Sequence, residues 1–248
     1  KANVNHFNQK VQASVLGMYN NINQQGFNIR EYASFMGGFQ NISRGGGRVN
    51  SSDLGLPISN DLGDGFTTTG ATGLNLNYEF KEDNNLNVSY FYTDINRDIE
   101  QTINRENFFG DETSYYNQDD QQVSIFRNHN IRSSYRNKFN KRNRLIWNGN
   151  LGFNTTNYDT ENISQTNNAS NIQINNGAID YVSDKNTIKL NTNATYAHRL
   201  KKLGRSIGVR ASINNTKNSQ DALLNSINSY VLGGTGDTRI DSILQNQL

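Results

Sequence analysis

The sequence lacks, or has little of, the features that define several protein classes. It contains no Cys, which excludes thiol chemistry. No run approaches the roughly 18 consecutive apolar residues of a membrane-spanning helix, so a helical membrane protein is excluded. Charged residues make up only 19% of the chain, and the formal net charge of +2 gives no indication of a nucleic-acid partner.

The start of the chain also lacks a targeting signal. Lys1-Ala2-Asn3 does not open a basic segment followed by an apolar core, which is the pattern of a signal peptide. For an exported protein, we therefore expect this sequence to be a mature or internal portion of a longer one.

The composition that remains is unusual for a folded chain. Apolar residues account for 33%, few enough to raise the question of disorder. Aromatic residues, at 10%, nevertheless occur in short alternating runs, and Asn, Thr and Ser are abundant. A transmembrane β-barrel explains this combination, because its interior is polar and wet and its exterior needs only a thin apolar band.

Seven segments alternate with a period of two residues, which predicts β-strands. One face of each segment carries no charge over about four or five positions, and the opposite faces hold several Arg and Lys residues. The predicted strands are 11–23, 73–80, 86–104, 122–139, 145–157, 187–200 and 206–218.

We expect lipid to cover the uncharged faces. The residues predicted to face lipid are Val11, Val15, Tyr19, Leu74, Leu76, Tyr78, Phe80, Val88, Tyr90, Tyr92, Tyr135, Trp147, Leu151, Phe153, Leu190, Tyr196, Val209 and Ile213. The candidate lumen-lining residues on the opposite faces are Arg132, Arg136, Lys189, Arg199 and Arg210. They form either a basic lumen that attracts anions or part of a wet interior balanced by acidic residues elsewhere.

The connections between these strands alternate between short and long. Residues 81–85, 140–144 and 201–205 form short connections, whereas 24–72, 105–121, 160–183 and the residues after 218 are long. A soluble sandwich has alternating strands too, but loops beyond about 15 residues are uncommon in compact domains. We therefore predict one all-β domain over 1–248, an antiparallel transmembrane β-barrel that is part of a larger barrel, with short periplasmic turns and long extracellular loops.

Aromatic residues support this orientation. Phe80, Phe139, Trp147 and Tyr196 lie near the short-turn ends of the uncharged faces, and Tyr19, Tyr92 and Phe153 lie toward the long-loop ends. Two such girdles are typical of the two interfaces of a bilayer.

One hairpin is expected to project into solvent above the barrel. Residues 93–106 and 120–129 are polar and still have an extended pattern. Tyr115 and Tyr116 lie at its predicted tip, where a loop carrying two aromatics is a candidate for contacting a partner.

No residue pattern indicates an enzyme. The three His residues, His6, His129 and His198, are scattered and lack metal-ligand spacing. No Ser-His-Asp arrangement can be argued. We therefore expect no catalytic residue, no metal and no cofactor.

Three segments carry a family resemblance. Val15 to Phe27, Gly73 to Phe80 and Leu86 to Tyr92 resemble the large outer-membrane β-barrel proteins of Bacteroidetes that are grouped with TonB-dependent receptors. The resemblance implies a nutrient receptor or transporter in the bacterial outer membrane, in contact with lipid and with other outer-membrane or periplasmic proteins. TonB would be one of these partners if the full protein has a plug and a TonB box, neither of which is visible here.

Other interpretations of the same pattern stay open. The chain could belong to a non-transporting barrel subunit of an outer-membrane secretion or assembly complex, or to a soluble secreted glycan-binding β-sandwich. A small eight-stranded barrel is also possible, with Ala2 to Phe7 as part of a closing strand. That segment is short for a span of about 9 to 11 residues.

Overall fold

The computed structural model describes residues 1–23, 65–110, 112–202, 204–231 and 238–247. Within these ranges every regular element is a β-strand. The same ranges contain no helix that is long and apolar enough to cross a membrane. The predicted all-β class is therefore confirmed.

Nine strands form one antiparallel sheet in which each strand pairs with its neighbours in the sequence. The strands are β1 (Ala2–Phe7), β2 (Val11–Asn20), β3 (Phe66–Lys81), β4 (Asn84–Phe109), β5 (Glu112–Lys138), β6 (Asn143–Asn168), β7 (Gln173–Arg199), β8 (Ser206–Val231) and β9 (Thr238–Gln247). The described part of the sheet is open, with β1 and β9 at its two edges. It is consistent with part of a barrel.

Asn and Asp side chains build the short turns at one end of the sheet. The Oδ1 atom of Asn8 accepts hydrogen bonds from the backbone N–H groups of Lys10 and Val11. Asn140 accepts from Arg142 and Asn143 in the same way. These Asx-type contacts mimic a backbone turn, so the chain reverses within a few residues after β1 and β5.

The connections at the opposite end are shorter than the sequence predicts. Strand β4 continues to Phe109 and β5 begins at Glu112, with a turn at Gly110 (φ 64°), so the long loop predicted over 105–121 is wrong. The loop predicted over 160–183 is wrong as well, because β6 extends to Asn168 and β7 starts at Gln173. The backbones of these segments pair across the sheet, although alternation of apolar and polar residues is weak along them.

The remaining long connections differ too. The segment after 218 is not a loop throughout, since β8 runs to Val231 and β9 follows. In the predicted 24–72 connection, β3 already begins at Phe66, and 24–64 lies outside the described residues.

Two alternative architectures find no support in the described residues. Ala2–Phe7 pairs with β2 and not with the last strand, so the closed eight-stranded barrel is wrong for this part of the chain. A β-sandwich needs two packed sheets, and the described strands form one.

Candidate functional site

The strand register places the positions that the sequence predicts to face lipid on one face of the sheet. Directly paired residues of antiparallel strands share a face, so one row can be followed across the molecule. Val15 pairs with Leu74, and Leu74 pairs with Tyr90. The row continues through Ile131, Leu151 and Leu190.

We call the part of this face within about ten residues of the short turns the apolar band. Alternation along each strand and pairing between strands bring every residue that the sequence predicts to face lipid into it. Among the residues predicted to face lipid, Phe80 alone has no directly paired residue on a neighbouring strand, because it stands at a bulge between Glu79 and Lys81. Its ring contacts Tyr78 edge-on, at 4.7 Å between centroids.

The predicted lumen-lining residues all lie on the opposite face, which we call the polar face. Arg136 pairs with Ile146, Ile146 with Thr195, and Thr195 with Arg210, so the two Arg residues stand in one row. Arg132, Lys189 and Arg199 occupy other rows of this face.

The two faces of β2–β5 differ in their exposure. In the apolar band Val15 is 48% exposed and Leu74 is 47% exposed. On the opposite face of β2–β5, the polar residues Thr67 and Asn128 are buried, and so is the apolar residue Phe91. A soluble protein buries its apolar face. Here, across β2–β5, the apolar face is open and the polar face is enclosed.

The apolar band has a definite height. On β2 it runs from Val11 to Tyr19 without a charge, a length of about 27 Å along the strand at roughly 3.4 Å per residue. The first charges on this face of the neighbouring strands are Asp94 and Arg127, which form an ion pair at 3.6 Å. Strand β8 departs from the pattern, because Lys217 stands opposite Ile188 at the top of the band.

Aromatic side chains with a polar atom mark the lower edge of the band, near the short turns. The Trp147 Nε1–H group donates to Thr192 Oγ1 at 2.9 Å. The Tyr196 hydroxyl donates to Asn143 Oδ1 at 2.7 Å. Each ring thus exposes an apolar body while its polar atom is satisfied, which suits an interface between water and an apolar phase.

A second aromatic group lies toward the upper edge. The Tyr90 hydroxyl and His129 Nδ1 are hydrogen-bonded at 2.9 Å, and the Tyr92 ring lies 4.7 Å from the His129 ring. Phe153 pairs directly with His129 in the same row. His129 is therefore held among aromatic rings. Within the described residues, no group of three or more His, Asp or Glu side chains is arranged to hold a metal ion.

Tyr115 and Tyr116 do not form a loop. Both belong to strand β5, a few residues after the turn at Gly110. Consecutive strand residues point to opposite faces, so the two rings do not present one contact surface. Tyr116 lies on the polar face, where the Arg105 guanidinium stands 4.8 Å from its ring centroid. The predicted two-aromatic contact loop is corrected accordingly.

Sequence reasoning missed a basic cavity of about 840 Å³ on the polar face at the short-turn end. Six cationic and two acidic side chains line it, namely Arg136, Lys138, Lys141, Arg142, Arg144, Arg199, Glu79 and Asp83. Two of the predicted lumen residues belong to it, whereas Arg132, Lys189 and Arg210 lie elsewhere on the face. The signal available in the sequence was the run of basic residues from 138 to 144.

Comparison with known proteins adds no family assignment. No protein-family model matches the chain, and a search of curated proteins finds no match. The resemblance to TonB-dependent receptors stays a prediction.

Proposed function

We propose that the sheet is part of the wall of a bacterial outer-membrane β-barrel, with the apolar band in lipid and the polar face toward an aqueous lumen. The observation that carries the proposal is the uncharged, partly exposed apolar band on one face, opposite an enclosed face that is mostly polar. In water, the open apolar band would be a large unfavourable patch. In a bilayer, each half-exposed Val, Leu, Ile or Phe of the band gains about 1 kcal/mol from leaving water, roughly half of the value for full burial.

The height of the band supports the same assignment. Barrel strands cross a bilayer in about 9–11 residues, and the charge-free part of β2 spans Val11 to Tyr19. Backbone pairing also fits, because hydrocarbon offers no hydrogen-bonding groups and neighbouring strands must supply them. The open edges β1 and β9 would have to be paired in the membrane, so the proposal requires further strands to close the barrel.

The upper sheet supports a role as a receptor. Strands β4–β8 have 26 or 27 residues each, about 85–90 Å, so much of each strand stands beyond the band. This wall carries polar side chains on both faces and suits contact with ligands or proteins in water. Together with the resemblance of residues 15–27 and 73–92, it favours a nutrient receptor or transporter related to TonB-dependent receptors.

The same tall wall also favours a second candidate. A non-transporting barrel subunit of a secretion or assembly complex would use it to contact other proteins. The two candidates differ in their need for energy. Substrate uptake that stops when the gene for TonB is deleted favours the receptor, and co-purification of a stoichiometric outer-membrane partner with no such uptake favours the subunit.

The absence of Cys allows a direct test of the face assignment. Single substitutions Leu74→Cys and Leu151→Cys would be introduced into the protein expressed from its complete gene, with Asn75→Cys and Asn150→Cys as controls one residue away. In isolated outer membranes, we expect the Leu positions to react with a lipid-soluble maleimide and to resist a charged one.

The control positions provide the opposite expectation. Asn75 and Asn150 lie on the polar face, so the charged maleimide is expected to favour them over the Leu positions once the protein is partly opened with mild denaturant. Preferential labelling of Leu74→Cys and Leu151→Cys by the charged reagent in intact membranes would contradict the proposal. So would recovery of the folded protein from cells without detergent.

A further inference from the structure

The basic cavity has too little negative charge of its own. Of its six cations, only Lys138 has an ion pair within the described residues, with Asp83 at 2.5 Å. Arg136, Arg144 and Arg199 have none there. The cavity therefore gathers several guanidinium groups without matching carboxylates.

The register places two of the cations side by side, and a bound anion would lessen their repulsion. Lys138 pairs directly with Arg144, so two cations stand side by side on the polar face. Like charges directly opposite each other destabilise a sheet. Arg136 lies two residues from Lys138 on the same face, and the turn residues Lys141 and Arg142 line the rim.

The shape and chemistry of the cavity indicate what it would hold. Its volume of about 840 Å³ lies within the range of small-molecule sites, about 300–1,000 Å³. Guanidinium groups bind phosphate and carboxylate oxygens in pairs of parallel hydrogen bonds. Asn85 and Ser206 add neutral polar groups to the lining.

We propose that this cavity binds a soluble polyanion, a molecule that carries two or more phosphate or carboxylate groups. The cavity and its charges stand on the geometry of the sheet alone. That the anion comes from water and not from a lipid headgroup rests on the proposed function, because in a barrel the polar face is the lumen side and faces away from lipid.

Tripolyphosphate is a suitable probe. The complete protein would be placed in nanodiscs of zwitterionic lipid and titrated with tripolyphosphate in a calorimeter. We expect saturable binding that weakens as the salt concentration rises. Arg144→Gln is expected to weaken binding about tenfold or more, because it removes a charge-assisted hydrogen bond. Arg144→Lys, which keeps the charge, is expected to lose less.

Lys189→Gln is the matched control. It removes one positive charge from the polar face but lies ten residues before Arg199 on β7, about 33 Å away along the strand. We expect it to leave the affinity unchanged. Equal losses in Arg144→Gln and Lys189→Gln, or no binding by the unmodified protein, would overturn the proposal. Arg136→Gln provides a second variant if Arg144→Gln fails to fold.

A second titration, in nanodiscs of a different lipid composition, distinguishes a soluble anion from a lipid headgroup. In nanodiscs that contain anionic phospholipid, we expect unchanged tripolyphosphate affinity after correction for surface potential. If the anionic lipid competes with tripolyphosphate, and this competition is lost in Arg144→Gln, then headgroups occupy the cavity. That result would overturn the proposal that the anion comes from water. If the protein binds tripolyphosphate but the maleimide test contradicts the face assignment, the proposed membrane location fails and the proposed anion site stands.

Discussion

Single residues show how far alternation determines the side-chain arrangement. Val15, Leu74 and Tyr90 could be assigned to one face from the sequence because a strand has a period of two residues. Trp147 shows what the sequence does not reveal. Its ring lies over Gly149, where an added Cβ would stand 3.0 Å from Cζ2, and its Nε1 reaches Thr192 on the next strand. Such contacts depend on the register between strands.

Gly149→Ala is predicted to disturb the only Trp in the chain. The ring would have to move by a few tenths of an ångström, which weakens its bond to Thr192 and costs about 0.5–1.5 kcal/mol. Gly17→Ala is the control, because Gly17 lies on the same face and an added Cβ meets nothing within 4 Å. Urea unfolding in lipid vesicles, followed by Trp147 fluorescence, measures both. An equal stability loss in the two variants would contradict the packing described here.

At the scale of elements, the lower strands were predictable and the upper ones were not. Residues 145–157 alternate because one face is apolar, whereas 158–168 continue the same strand with polar side chains on both faces. Hydrophobic alternation therefore ends where the band ends, although backbone pairing continues. The basic cavity was missed for a related reason. Arg136 and Arg199 are far apart in the sequence, and only the order of β5, β6 and β7 brings them to one end of the polar face.

The upper β7–β8 hairpin contains a cross-strand pair of like charges. Asp184 pairs directly with Asp221, so both carboxylates lie on one face. We predict that Asp221→Asn stabilises this hairpin by about 0.2–1 kcal/mol, because it removes their repulsion. Asp159→Asn is the control, since Asp159 stands between Val123 and Val182. Slower amide hydrogen exchange in β7–β8 of the first variant only is the expected result. Faster exchange in Asp221→Asn would contradict the predicted repulsion between the two carboxylates.

At the scale of the whole molecule, the sheet combines a low apolar band with a tall polar wall. In the proposed membrane orientation, the band would limit the depth at which lipid covers the sheet, and the wall would place most of β4–β8 in water. The basic cavity lies at the other extreme, beside the short turns. An orientation with these turns in the periplasm therefore separates the two proposed binding regions, the outer wall and the periplasmic mouth of the lumen, by nearly the full length of the strands.

The depth of Trp147 tests this arrangement as a whole. Because it lies on the band near the short turns, its fluorescence in reconstituted vesicles is predicted to be quenched by brominated phospholipids, more strongly by bromines near the headgroups than by bromines at the bilayer centre. Aqueous iodide is expected to quench it weakly. The double variant Trp147→Phe, Ile146→Trp moves the reporter by one residue to the polar face, where Ile146 lines the basic cavity.

In the double variant the order of the quenchers should reverse. Iodide, an anion that the cavity attracts, should quench Trp strongly at position 146, and brominated lipid should quench it weakly. The Trp reporter stands at adjacent positions of β6 in the two proteins. A difference in insertion or in bulk lipid affinity would therefore affect both reporters alike and cannot produce the reversal. If brominated lipid quenches both reporters equally, or neither, then lipid does not distinguish the two faces and the barrel assignment fails.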